Sequence, residues 1–157
     1  GFTQEIADRI GETTTIDEAD IGGIGGTLAG NALSLAAIKA TLSNVLTEDA
    51  FKIMIPLAVR WADGVQKVID EYQLPWVVNR LGARAEYWFC PQTPRNGGDA
   101  EAAVDFDLDR YMHLAALNRG ILLTPFHNMA LISPQTTEAD IDFHTEVFLE
   151  SVRALIR

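Results

Sequence analysis

Apolar positions recur along the chain at helical spacing first and at strand spacing later. In residues 2–10, Phe2, Ile6 and Ile10 fall on one side and Glu5, Asp8 and Arg9 on the other, the pattern of a short amphipathic helix that Gly11 should stop. Residues 31–46 are rich in Ala and Leu and carry one charge, Lys39. A helix apolar on most sides is expected to be buried. Residues 48–73 predict a second, amphipathic helix, with Thr47 as N-cap and Glu48 and Asp49 in the first turn, where the helix dipole favours them. Pro56 should kink or split it, and Pro75 should end it.

The period then shortens. Trp76 to Leu81 and Ala85 to Cys90 read as two strands of a hairpin around Gly82. Residues 91–100, with Pro91, Pro94, Gly97 and Gly98, are loop. A helix over about 102–119 follows, closed by Gly120. Ile121-Leu122-Leu123 and Met129 to Ile132 predict short strands flanking the loop Pro125-Phe126-His127-Asn128. Thr137, with Asp140 three residues on, caps a last helix whose core stripe is Ile141, Val147 or Phe148, Val152 and Leu155 or Ile156. Helices followed by β-β-α-β-β-α predict an α+β fold, with helices over one face of a small, mostly antiparallel sheet.

Composition narrows the function classes. The formal net charge is −10, the wrong sign for a phosphate backbone or an anionic membrane surface, so neither nucleic acid nor membrane is an expected partner. No apolar run is long enough to span a bilayer, and no signal peptide opens the chain. Cys90 is the one cysteine; it follows Tyr87-Trp88-Phe89 and is expected to be a buried strand residue in a cytoplasmic protein. The chain opens Gly-Phe-Thr without Met, so upstream sequence is expected.

Residues 12–30 stand apart. Four glycines in Gly22-Gly23-Ile24-Gly25-Gly26 precede Thr27 and the predicted helix start at Asn31. Glycines let backbone approach a ligand, and free N–H groups before a helix make an anion site, so Thr27 is a candidate phosphate contact; a flexible loop with Asn31 as N-cap reads equally well. His113, His127 and His144 lack metal-ligand spacing. His113 and His144 fall in predicted helices and read as structural. His127, in a short loop between two strands, is the histidine to follow, although a loop histidine is more often structural than catalytic. Asp105, Asp107 and Asp109 read as a solvated helix start, and Arg84 with Glu86 as an exposed strand pair of little energetic value. Lys39, Lys52 and Lys67 are the three lysines, all in predicted helices.

The run Gly26-Thr27-Leu28-Ala29-Gly30-Asn31-Ala32-Leu33-Ser34-Leu35-Ala36-Ala37 resembles the G-T-x-x-G-N-P-x-x-x-A-A segment of class III pyridoxal-phosphate-dependent aminotransferases, nearest the glutamate-1-semialdehyde aminotransferase-like branch. Asp109-Arg110-Tyr111, Leu117 to Pro125 and Ser133 to Ile141 resemble later family segments, so the likeness covers the whole chain. It implies the end of a fold type I large domain in 1–46 and the C-terminal small domain in 47–157. It implies pyridoxal 5'-phosphate as cofactor, with its phosphate held by Thr27 and Gly26 across a homodimer interface. By position, His127 and Asn128 resemble a loop that faces an amino acid or keto acid substrate. Ala32 stands where the family commonly has proline, and no arginine stands near Leu131-Ile132, where many members hold a substrate carboxylate. The family's Schiff-base lysine and the aspartate partnering the cofactor ring lie upstream of the matching segment. No catalytic residue is therefore carried over; the lysine is expected in upstream sequence, on the same polypeptide before cleavage or on a separate N-terminal chain. The rival expectation is a non-catalytic α+β assembly module that needs a partner chain, suggested by the apolar helix 31–46.

Overall fold

The computed structural model describes residues 3–13, 30–124 and 127–156. It divides into two compact units, Gly1–Leu42 and Ser43–Arg157. Gly26 and Thr27 lie outside the described residues, as does nearly all of the glycine-rich stretch.

In the first unit, α1 spans Gln4–Thr13, so Gly11 does not stop it. Glycine in a helix costs about 1 kcal/mol relative to alanine but keeps its N–H, which leaves the helix free to continue. Helix α2 spans Ala32–Asn44 and starts where the sequence places it, with Asn31 Oδ1 accepting from the Ser34 amide at 3.0 Å. Its expected burial is not found: no α2 residue is buried, and Leu33 is 80% exposed. An apolar composition without a one-sided pattern gives no single face to bury.

The second unit is built on α3, Glu48–Glu71. Thr47 Oγ1 accepts from the Ala50 amide at 3.3 Å. Pro56 neither splits nor ends this helix. Proline removes one backbone donor, and the stripe Met54, Leu57, Ala58, Trp61, Val65, Val68 and Ile69, buried on one side across both halves, holds the helix as one element. The helix ends before Pro75: Gln73 takes a left-handed φ of 51°, and the Leu74 amide donates to Ile69 O at 3.0 Å.

Strands β1 (Val77–Leu81) and β2 (Arg84–Trp88) form the predicted hairpin, with Gly82 at φ 59° in its two-residue turn. Two differences follow. The stretch expected to be loop over 91–100 ends in a short helix, α4 (Gly97–Ala102), capped by Asn96, and the helix expected over 102–119 is α5 (Phe106–Leu117), which begins later because the Asp105 carboxylate accepts from the Leu108 amide at 3.0 Å. Ile121-Leu122-Leu123 is not a strand. After Gly120, at φ 88°, the Ile121 amide donates back to Ala116 O at 3.0 Å, and Leu123 packs beside Ala116 and Val147 instead of entering the sheet.

Strand β3 (Met129–Leu131) pairs with β2, giving a three-stranded antiparallel sheet in the order β1-β2-β3. The last helix, α6 (Glu138–Leu155), has the predicted capping box: Thr137 Oγ1 accepts from the Asp140 amide, and an Asp140 oxygen from the Thr137 amide at 2.8 Å. Its buried stripe is Ile141, His144, Val147, Phe148, Ser151 and Val152; Leu155 and Ile156 are exposed, past the end of the sheet-facing surface. The fold is α+β, as expected.

The core lies between α3, the sheet and α6. Tyr87, 1% exposed, sits with Trp61 (ring centroids 6.3 Å), Trp76 (6.0 Å) and Phe148 (5.1 Å). Where α3 meets α6, a Cβ added to Gly64 would lie 2.6 Å from Thr145 Oγ1. Tyr111 Oη donates to Ser151 O at 2.8 Å and ties α5 to α6.

Candidate functional site

A cleft of about 700 Å³ opens between β2, the α4–α5 connection, α5 and the residues before β3. Strand β2 is central, so both of its edges are paired. Ala85 and Tyr87 pack in the core, and alternation sends the residue between them, Glu86, to the other side. Its side chain is 7% exposed. A buried carboxylate needs partners, and Glu86 has two: Arg84 Nη2 donates to Oε2 at 2.9 Å, and His127 Nδ1 lies 3.1 Å from Oε1. The pair read as exposed and unimportant is thus one buried carboxylate bridging a strand arginine and a loop histidine. A lone carboxylate inside the aromatic run Ala85-Glu86-Tyr87-Trp88-Phe89 was the available signal.

His127 and Asn128 both line the cleft. Their placement comes from β2 and α5. The Tyr87 amide donates to Asn128 O at 3.1 Å, and His113 Nε2 meets His127 O at 3.1 Å and Thr124 O at 3.2 Å. The His127 ring is half-exposed, whereas Asn128 is 8% exposed and its Oδ1 has no hydrogen-bond partner among the described residues. Trp88 Nε1, in the same wall, is likewise buried and unpartnered. A buried orphan acceptor beside a buried orphan donor is costly unless something else supplies the missing bonds.

Of the other groups, Cys90 departs from its expected burial, whereas His113 and His144 are structural helix residues, as expected. Cys90 lies beyond the end of β2, half-buried rather than buried, with its thiol 3.1 Å from Gln92 O. His144 is buried against Trp61 (5.0 Å) and Phe148 (6.3 Å), and burial pushes its pKa down to about 4. For His113, burial alone would lower the pKa, but the carbonyls of Asp109, Thr124 and His127 and the Asp109 carboxylate outweigh it and raise it above its ordinary value. Burial raises the Tyr87 phenol.

The described lining carries Glu86, Glu101, Asp105 and Asp109 against one permanent cation, Arg110. Such a wall does not suit a phosphate; it suits the amine-bearing, apolar part of a small molecule. None of the three lysines lines it. Lys39 and Lys67 are exposed, and Lys52 pairs with Asp49 at 2.6 Å. No group of side chains among the described residues could hold a metal ion, and no described helix is long and apolar enough to cross a membrane.

Comparison with known proteins places the chain in a class. No family model matches it. Its solved structural neighbours are pyridoxal-phosphate-dependent aminotransferases. The β-phenylalanine aminotransferase of Variovorax paradoxus aligns with TM-score 0.68 at 22% identity over 82% of this chain, a likeness of fold alone. Within the class, the chain is homologous to a C-terminal portion of the glutamate-1-semialdehyde aminomutases. A Pseudomonas aeruginosa glutamate-1-semialdehyde aminomutase, solved in complex with PMP, is 44% identical with TM-score 0.76, covering 99% of this chain and 35% of that one. Glutamate-1-semialdehyde 2,1-aminomutase 2 of Halalkalibacterium halodurans is 31% identical over 157 residues, 99% of this chain and 34% of that protein. The chain therefore spans about a third of the length of the relatives it matches.

Proposed function

We propose that this chain is the end of the large domain (1–46) and the small domain (47–157) of a pyridoxal-phosphate-dependent enzyme. That enzyme would move an amino group between an amino acid and a keto acid or aldehyde. The observation that carries this reading is the 44% identity, along 99% of the chain, to an aminomutase solved with PMP. The assembled enzyme would be a cytoplasmic homodimer, with the cofactor-bearing lysine supplied by sequence outside this chain.

Thr27 and Gly26 would hold the cofactor phosphate, the threonine through its hydroxyl and the glycine through its amide. Bound there, the cofactor would supply the electron withdrawal that loosens bonds at the amine-bearing carbon. This chain's part is to position. Glu86 accepts from His127 Nδ1, which fixes the ring; the neutral imidazole then carries its lone pair on Nε2 and can accept a hydrogen bond from substrate. The orphan Asn128 Oδ1 offers a second acceptor in the same wall. Apolar Trp88, Phe89 and Val104 would exclude water from the ligand's other side.

In the complete enzyme, Thr27→Ala should weaken cofactor binding about ten- to a hundredfold, the loss of a hydrogen bond to a charged group worth ~1.5–3 kcal/mol. Cofactor absorbance during dialysis measures it, and unchanged retention would remove Thr27 from the site. A second reading, a non-catalytic assembly module, is favoured by α2, whose Leu33, Leu35, Ile38 and Leu42 are all at least half exposed. Native mass spectrometry separates the two: a partner chain arriving with cofactor supports the enzyme, and a partner without cofactor supports the module.

A further inference from the structure

The His113 ring stands over acceptors on both of its edges. Nδ1 is 2.9 Å from Asp109 O, and Nε2 is 3.2 Å from Thr124 O and 3.1 Å from His127 O. Carbonyl oxygens cannot donate. A neutral imidazole has one N–H and one lone pair, so it satisfies one edge and sets a lone pair against a carbonyl at the other. The imidazolium satisfies both. The Asp109 carboxylate, 3.7 Å from Nδ1, compensates the charge. Thr124 O also accepts from the His127 amide at 3.3 Å, so the ring meets two backbone carbonyls whose residues are already linked.

We propose that His113 is a positioning residue of the cleft: in its doubly protonated form it clamps α5 onto the backbone of Thr124 and His127, and so fixes where His127 and Asn128 present their side chains. The functional consequence rests on the reading of His127 and Asn128 as a substrate wall; the clamp itself does not. The charged and titratable groups around the ring are Asp109 on its own helix and His127, whose carbonyl it meets. Glu86 and Arg84 lie behind His127 on β2, and Arg110, Asp105 and Glu101 lie along the same cleft. Below its transition His113 holds both carbonyls. Above it the ring loses one donor, and either the Asp109 edge or the Thr124–His127 edge is released.

The test is a pH titration of the chain by NMR, following the ring signals of His113 and His127 and the amides of His127 and Asn128. The expected result has His113 titrating above its ordinary 6.5. The two amides should move with the His113 midpoint. In His113→Phe that transition should vanish and the His127 amide should exchange about tenfold faster. Should this variant not fold, His113→Gln, which keeps a donor on one edge, serves in its place. His113 titrating at or below 6.5, or amides that stay flat through its transition, would overturn the clamp. Neither outcome depends on the cofactor, whose own test is Thr27→Ala.

Discussion

On one side of β2, Ala85 and Tyr87 enter an aromatic core into which His144 also packs; on the other, Glu86 meets His127, and His113 stands over backbone carbonyls. The same side-chain type is driven in opposite directions. His144 has aromatic neighbours and an unpartnered Nδ1, so burial keeps it neutral, with a pKa of about 4. His113 is less buried and faced by oxygens, so it favours the proton despite its burial. Burial alone therefore does not decide a histidine's charge; the atoms beyond its ring nitrogens do.

The largest break on the core side is Trp61→Ala. Trp61 is 1% exposed and touches both Tyr87 and His144, so its loss should cost ~3–5 kcal/mol in denaturant unfolding. A cost under about 1 kcal/mol would mean that this side is loosely packed. Next comes the pH response of His144. Its folded pKa lies below the unfolded 6.5, so its contribution is present above that pH and is lost as pH falls toward about 4, by up to ~3 kcal/mol. His113 carries the other sign. Its stabilisation is full below the unfolded pKa and fades as pH rises through the raised folded one. Unfolding curves of His144→Phe and His113→Phe across pH should therefore lose opposite slopes. The smallest effect is Glu86→Gln, which keeps the shape and leaves His127 a neutral acceptor, at about 1 kcal/mol.

The sequence made the ends of the elements plainer than their courses. Thr47, Gly82, Gly120 and the Thr137–Asp140 box each act locally, through one amide or one positive φ, and each sits where the pattern placed it. What was hidden depends on distant partners. Whether Ile121 to Leu123 joins a sheet was decided by the bond back to Ala116 and by Val147. The same division holds in the cleft. His127 and Asn128 were visible as loop residues, and both line it. Glu86 and His113 were dismissed because the partners that give them meaning lie 41 residues away for one and 11 and 14 away for the other. Residues 26 and 27, singled out by the glycine run and by the family segment they resemble, lie outside the described residues.

Gly64 has a consequence of another kind. The space its missing side chain leaves is filled by Thr145, and the Thr145 hydroxyl is itself tied to Ile141 O at 3.1 Å, so it cannot swing away without giving up that bond. The two positions thus form one unit of inheritance. A side chain added at 64 while Thr145 stays in place overpacks the α3–α6 contact, whereas removing bulk at 145 first leaves room for it.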